Sequence, residues 1–203
     1  MSKITTIFFD IGGVCLTNGW DETAREKSTK HFFINYEEME KRHKPVFKKF
    51  EKGKLSLDAY LDEVVFFRRR NFSKKDFIKF MFSQSHPYNS TLQILKRLTA
   101  KKKYRLATIN NESFELNEYR INKFGLYKYF NCFFSSCYLG VRKPESEIFS
   151  KVLNIVHKNP GNCLYIDDRE ENYNSAKNLG LNSILLDYPG NLPARLEEFN
   201  IEI

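Results

Sequence analysis

From Pro87 onward the chain alternates between helical stretches and short apolar runs. "NSTLQILKRLTAKK" has helical periodicity and "YRLATI" (104–109) reads as a strand. "SFELNEYRINKF" reads as a helix stopped by Gly125, and "YFNCFFSS" (129–136) holds another short strand. "PESEIFSKVLNIVHK" is a helix opened by Pro144 in its first turn, followed by the strand "CLYID" (163–167). "EENYNSAKNL", stopped by Gly180, leads to a last strand, "SILLD" (183–187). A first strand, "ITTIFFD" (4–10), stands near the start. Strands joined through helices run parallel, and a parallel sheet buries both faces under those helices. The expectation is an α/β protein: a three-layer, doubly wound parallel sheet with a Rossmann-like core.

Residues 16–85 break this pattern. "NYEEMEKRHKPVFKKFEKG" has helical spacing, with Pro45 expected to start or interrupt a helix and Gly53 to stop one. Ser56 is placed to cap a helix "LDAYLDEVVFFRRR", and Ser73 with Asp76 resembles a capping box. No strand is evident there. The chain therefore divides into a core, residues 1–15 and 86–203, and a helical insertion, residues 16–85.

Bulk properties narrow the function. A length of 203 residues suits one packed core with a small inserted module. No apolar run approaches the ~18 residues that span a bilayer, and the N-terminus lacks the pattern of a secretory signal, so a cytoplasmic protein without membrane contact is expected. The four cysteines are scattered without a C-x-x-C pair, which speaks for reduced, mostly buried thiols rather than a zinc site. The net charge of +8 comes in short runs such as "FFRRRNF" and "RLTAKKKYR". Single-strand nucleic-acid binders interleave cations with aromatics in this way, but lysines and arginines also line solvated helix faces, and the second reading is preferred.

Three strands end in polar residues: Asp10, Asn110–Asn111 and Asp167–Asp168. Ligands of open α/β sheets bind at the carboxyl ends of strands, so these groups should converge on one crevice. Packed carboxylates repel, and a hard cation relieves the repulsion; oxygen ligands with few carboxylates suit Mg²⁺. Lys143, just before a helix, is placed to screen the cluster and hold a phosphate oxygen, while Asn110 and Asn111 offer amide donors. A carboxylate nucleophile, a divalent cation, a lysine and amide donors suit phosphoryl transfer, where positioning and charge neutralisation do most of the catalysis.

The strings "FFDIGGV", "ATINNES", "GVRKPESEIF" and "YIDDREENYNSAKNLG" together resemble the haloacid dehalogenase-like hydrolase superfamily, over essentially the whole chain. The first motif is most similar to the branch reading D-[IL]-G-[GN]-V, near the sugar-phosphate phosphatases and the phosphatase domain of soluble epoxide hydrolase. The resemblance implies that Asp10 attacks phosphorus and becomes an aspartyl-phosphate. It implies Mg²⁺ held by Asp10, the Gly12 carbonyl and Asp168, with Asp167 one step removed, and it makes Lys143 the motif-three lysine. Asn110 follows the motif-two position, and residues 16–85 correspond to a cap that selects a small phosphorylated metabolite. Substrate-selecting residues are expected in 42–56, with Asn18 and Trp20.

Two positions depart from the pattern. Ile109 stands where the family has a hydroxyl, and Thr108 beside it should face the other way on a strand. Gly12 stands where the family has a second Asp, which protonates the leaving group. Loss of such help costs typically ~10²–10⁴-fold. The expected activity is a Mg²⁺-dependent phosphatase lacking that acid, with His43 of the cap as a candidate substitute. The alternatives are a metal-independent 2-haloacid dehalogenase and a non-catalytic binding protein of the same fold.

Overall fold

The computed structural model describes residues 3–203. Five strands form one sheet: β1 (Thr6–Phe9), β2 (Arg105–Asn110), β3 (Cys132–Ser135), β4 (Cys163–Asp167) and β5 (Asn182–Leu185). Their spatial order is β3-β2-β1-β4-β5, and every pair is parallel. All five expected strands are present, with ends shifted by up to three residues.

The two faces of the sheet carry separate cores. Ile7 and Phe9 of β1 and Leu164 and Ile166 of β4 pack with Ile94, Leu95 and Leu98 of helix α5 (Asn89–Lys101). The alternate residues, Phe8, Ile109 and Tyr165, pack on Ile148, Phe149 and Val152 of α6 (Ser146–Val156) and on Ala176 of α7 (Glu170–Asn178). This period-two division covers both faces with helix and accounts for the continuously apolar strands.

The insertion holds four helices, α1 (Glu22–Phe32), α2 (Tyr36–Glu51), α3 (Leu57–Val64) and α4 (Lys74–Ser83); α3 stops at Val64, so "FFRRR" lies in the loop before α4 and not in the helix that Ser56 caps. The insertion leaves and rejoins the core at one place, where Leu16 bridges Pro87 and the Thr17 amide donates to the His86 carbonyl at 2.8 Å. Its own core joins Met39, Phe50, Tyr60, Leu61 and Phe77. Ser56 caps α3 through the Ala59 amide, and Ser73 caps α4 through the Asp76 amide while its hydroxyl donates to the Asp76 carboxylate. Pro45 neither starts nor interrupts a helix; it lies within a continuous α2. The stripe Met39, His43, Val46 and Phe50 buries one face of that helix on both sides of the proline, and this packing outweighs one lost backbone bond.

The end of α2 also anchors the insertion to the core. The Ser136 hydroxyl donates to the Glu51 carbonyl at 2.6 Å, Arg142 pairs with Glu51 at 2.7 Å, and Lys52 pairs with Glu145 at 2.8 Å. Helix α2 thereby lies across the carboxyl ends of the strands.

Candidate active site

Asp10 follows β1 directly. Its Oδ1 accepts from the Ile11 amide at 2.7 Å, and its Oδ2 pairs with the Lys143 ammonium at 2.9 Å. Lys143 is almost fully buried and also pairs with Asp167 at 2.7 Å. The Asp167 carboxylate accepts from the Tyr165 hydroxyl, the Arg169 amide and the Asn172 side chain, so both of its oxygens are engaged. Tyr165 lies two residues before Asp167 on β4, and period two places both on one face of the strand. Nothing in the sequence separated it from the apolar positions around it.

Asp168 differs from Asp167. Its Oδ1 is buried without a hydrogen-bond partner. Its carboxylate lies against Gly13, which has φ +74° and whose missing Cβ would collide with it. Here glycine serves twice, supplying the left-handed backbone and the space. The carboxylates of Asp10, Asp167 and Asp168 each bring one oxygen within 4.8 Å of the others. Three carboxylates face a single ammonium in this cluster. An orphaned carboxylate oxygen, an all-oxygen donor set and a backbone cradle that admits Asp168 fit a hard divalent cation.

The electrostatics agree with this division. Burial pushes the Asp10 carboxyl up to about 7, against the pull of Lys143 and with repulsion from Asp167 and Asp168. Burial and the neighbouring Asp167 also raise Asp168. Burial acts upward on Asp167 too, but the charge and hydrogen bond of Lys143, with the Tyr165 hydroxyl, hold it below its ordinary value. Burial alone would lower Lys143; Asp10 and Asp167 outweigh it and keep the ammonium charged.

The asparagines are placed differently from expectation. The Asn110 amide donates to Asn117 at 3.0 Å, and its oxygen accepts from the Ser135 hydroxyl at 2.9 Å, within a buried network. Asn111 borders the site, but its amide clamps the Lys143 backbone: Nδ2 donates to the carbonyl and Oδ1 accepts from the amide, both at 2.8 Å. The expected phosphate donors are therefore committed internally, and Asn111 orients the lysine instead. Ile109 and Thr108 face opposite ways as the strand requires; Thr108 is buried beside Asn110 at 3.3 Å. His43 is no substitute acid. Its Nδ1 pairs with the Tyr60 hydroxyl at 2.8 Å, and burial with the nearby Arg25 pulls it down to about 4, so it is neutral at pH 7.

Above Asp10, Gly12 and Lys143 a cavity of about 570 Å³ opens beneath the helical insertion. Its walls include Trp20, His43, Lys44, Phe47 and Arg142, as well as Asn18. The segment 42–56, with Asn18 and Trp20, therefore does contribute to the enclosure. Sequence reasoning missed the buried ion pair of Arg120 with Glu112, which also borders the cavity and whose guanidinium donates to the Thr17 carbonyl at 2.6 Å. Glu112 and Arg120 lie eight residues apart around a helix start, a spacing with no motif to signal it.

A parallel sheet with a buried carboxylate, a lysine and a cation-ready acidic cluster at its strand ends, roofed by a helical insertion, defines a hydrolase with an aspartate centre. Residues 4–180 match the family model of the haloacid dehalogenase-like hydrolases, and the chain belongs to that family. A haloacid dehalogenase family enzyme of Bacteroides thetaiotaomicron, BT-2542, is 25% identical, with a TM-score of 0.78 over 90% of this chain and 93% of that one. The same enzyme's complex with magnesium and inorganic phosphate superposes with a TM-score of 0.76 over 89% and 93%. A predicted HAD-like family hydrolase from Porphyromonas gingivalis shares the fold over 99% of this chain and all of that one, with a TM-score of 0.77 at 20% identity. The chloroplast flavin mononucleotide hydrolase 1 of Arabidopsis thaliana is 26% identical over 165 residues; these are 81% of this chain but only 66% of that protein. Among the described residues no helix is long and apolar enough to cross a membrane.

Proposed function

We propose that this hydrolase is a Mg²⁺-dependent phosphatase acting on a small phosphomonoester through an aspartyl-phosphate on Asp10. The observation that carries the reading is the uneven use of the three carboxylates: Asp167 is fully hydrogen-bonded, whereas Asp168 keeps a buried, unpartnered oxygen beside Asp10. Asp10, Asp168 and the Gly12 carbonyl would hold Mg²⁺, with Asp167 behind them. When bound, the ion neutralises charge on the phosphoryl oxygens and the carboxylates. Attack on a haloacid carbon needs no metal and would leave the Asp168 oxygen without a use.

The chain's own residues account for the remaining work. Asp10 is held by the Ile11 amide and by Lys143, so its attacking oxygen is fixed before substrate arrives. The ammonium of Lys143, held by Asp10 and Asp167 on a backbone that Asn111 clamps, balances the charge of the incoming phosphate. The cap insertion, residues 16–85, limits water access and contacts the organic part of the substrate. The cavity exceeds what inorganic phosphate needs and falls in the range of small-molecule sites. With the magnesium–phosphate complex of BT-2542 and the flavin mononucleotide hydrolase as relatives, a panel should include flavin mononucleotide beside sugar phosphates, the substrate class of the D-x-G-G-V branch.

The test is phosphate release from such a panel with Mg²⁺ and with EDTA. Turnover should require Mg²⁺ and be abolished in Asp10→Asn, whose amide is nearly isosteric but cannot attack phosphorus. Equal rates for the wild type and Asp10→Asn would remove Asp10 from the reaction.

A further inference from the structure

We infer that Asn18 stands in the space vacated by the missing carboxylate at position 12 and hydrogen-bonds the leaving-group oxygen. A Cβ built on Gly12 would lie 2.7 Å from Asn18 Oδ1, far inside van der Waals contact. The backbone at Gly12 is not in the left-handed region, so a side chain there would meet Asn18 rather than backbone strain, and Asn18 would have to turn aside to admit it. Positions 12 and 18, on either side of the turn that follows Asp10, thus compete for one volume at the wall of the cavity that Asp10 also lines.

Three further observations give Asn18 a role beyond filling space. It borders the cavity that opens over Asp10. Its amide makes no hydrogen bond among the described residues, unlike Asn111 and Asn172, which border the same cavity and whose Nδ2 groups are committed as donors. Its loop is fixed by a buried device: Arg120 donates to the Thr17 carbonyl, its other terminal nitrogen pairs with Glu112, and both lie against Gly19. Asn18 Oδ1 faces the position-12 space; with no hydrogen bond to hold it, the amide can turn about its Cβ–Cγ bond and present Nδ2 there, while the loop that carries it stays fixed.

An amide can donate a hydrogen bond without giving up its proton. As the Asp10 oxygen bonds to phosphorus, the bond from phosphorus to the organic oxygen breaks and its electron pair goes to that oxygen. The Asn18 N–H stabilises the developing anion, which takes its proton from water and leaves hydroxide. A second water then attacks phosphorus and the bond to Asp10 breaks with its pair returning to the carboxylate; one proton of that water stays on the phosphate and the other neutralises the hydroxide. Asn18 therefore acts on the first step, and most strongly where the leaving oxygen is most basic.

This inference rests on the phosphatase reading, and the experiment separates the two. Kinetics are measured over phosphomonoesters of graded leaving-group pKa for the wild type and Asn18→Ala, and thermal stability for Gly12→Asp, Asn18→Ala and the double variant. A hydrogen bond to a charged oxygen corresponds to about 10–100-fold in rate. Asn18→Ala should slow alkyl phosphates by about that factor and aryl phosphates by less than about threefold, which steepens the dependence on leaving-group pKa. Gly12→Asp alone should lower the melting temperature by roughly 2–6 °C through overpacking, and Asn18→Ala should relieve that loss. An equal slowing of all substrates by Asn18→Ala, or none, would overturn the role toward the leaving oxygen. An additive stability cycle would overturn the shared space. If the wild type hydrolyses no phosphomonoester, the phosphatase reading falls and the catalytic role of Asn18 falls with it.

Discussion

Replacing Lys143 by methionine removes the ammonium and keeps most of the volume of the side chain. In the native protein that ammonium pairs with Asp10 and Asp167, and all three side chains are buried. The Lys143→Met variant would leave two neighbouring buried carboxylates without a counter-charge, and Asp167, held below its ordinary value by the lysine, would have to take up a proton to remain inside. For a carboxyl with an ordinary pKa of 3.8, binding that proton at pH 7 costs about 4 kcal/mol, at ~1.36 kcal/mol per unit. The same step costs only about 1.6 kcal/mol at pH 5. The native Asp167 contributes stability above its unfolded pKa and loses it only as pH falls below that value. The variant has the opposite shift, so the gap between the two proteins is widest at neutral pH and closes as pH falls. Urea unfolding in EDTA at pH 5, 6 and 7 measures this gap directly. A loss below about 1 kcal/mol at pH 7, or one that does not change with pH, would refute the reasoning that Lys143 compensates the buried carboxylates.

Mg²⁺ should raise the melting temperature by mass action, corresponding to about 2.7 kcal/mol at a hundred times its Kd. Asp168→Ala should remove that response, and differential scanning fluorimetry with and without Mg²⁺ reads it. Gly13→Ala should cost about 1–2 kcal/mol in left-handed strain and also abolish the Mg²⁺ response, because its Cβ displaces Asp168. Gly140→Ala is the control: it has φ +71° and open space around it, so it should carry the strain and keep the response. His43 takes up a proton near 6.5 when unfolded but only near 4 when folded. Stability should therefore fall by up to about 3 kcal/mol as pH drops from 6.5 to 4, and His43→Gln should flatten that part of the urea-midpoint profile.

Flanking chemistry made several elements legible before the structure. The β4 strand "CLYID" lies where its apolar run predicts, and Ser56 and Ser73 cap the helices that follow them. Local patterns such as these are complete within a few residues, so no distant contact is needed to read them. Helix α1 was harder to see, because its sequence is mostly polar and only Ala24, Arg25, Ser28 and Thr29 are buried. Pro45 misled for the same reason in reverse: its local cost is real, but burial of the α2 stripe is greater.

By itself the sequence determined the alternation of strand and helix, and therefore the parallel sheet and the gathering of Asp10, Lys143, Asp167 and Asp168 at its carboxyl ends. Periodicity and chain order suffice for that, because parallel strands place their carboxyl ends along one edge. Only the tertiary structure decided what each polar group does there. Asn110 and Asn111 looked alike in sequence, but the first is taken up by Asn117 and Ser135 and the second by the Lys143 backbone. The adjacent glycines also separated: Gly13 makes room for Asp168, and Gly12 for Asn18. The assignment of a donor or of a space depends on which groups arrive from elsewhere in the chain, and hydrogen-bonding capacity and volume are each used once.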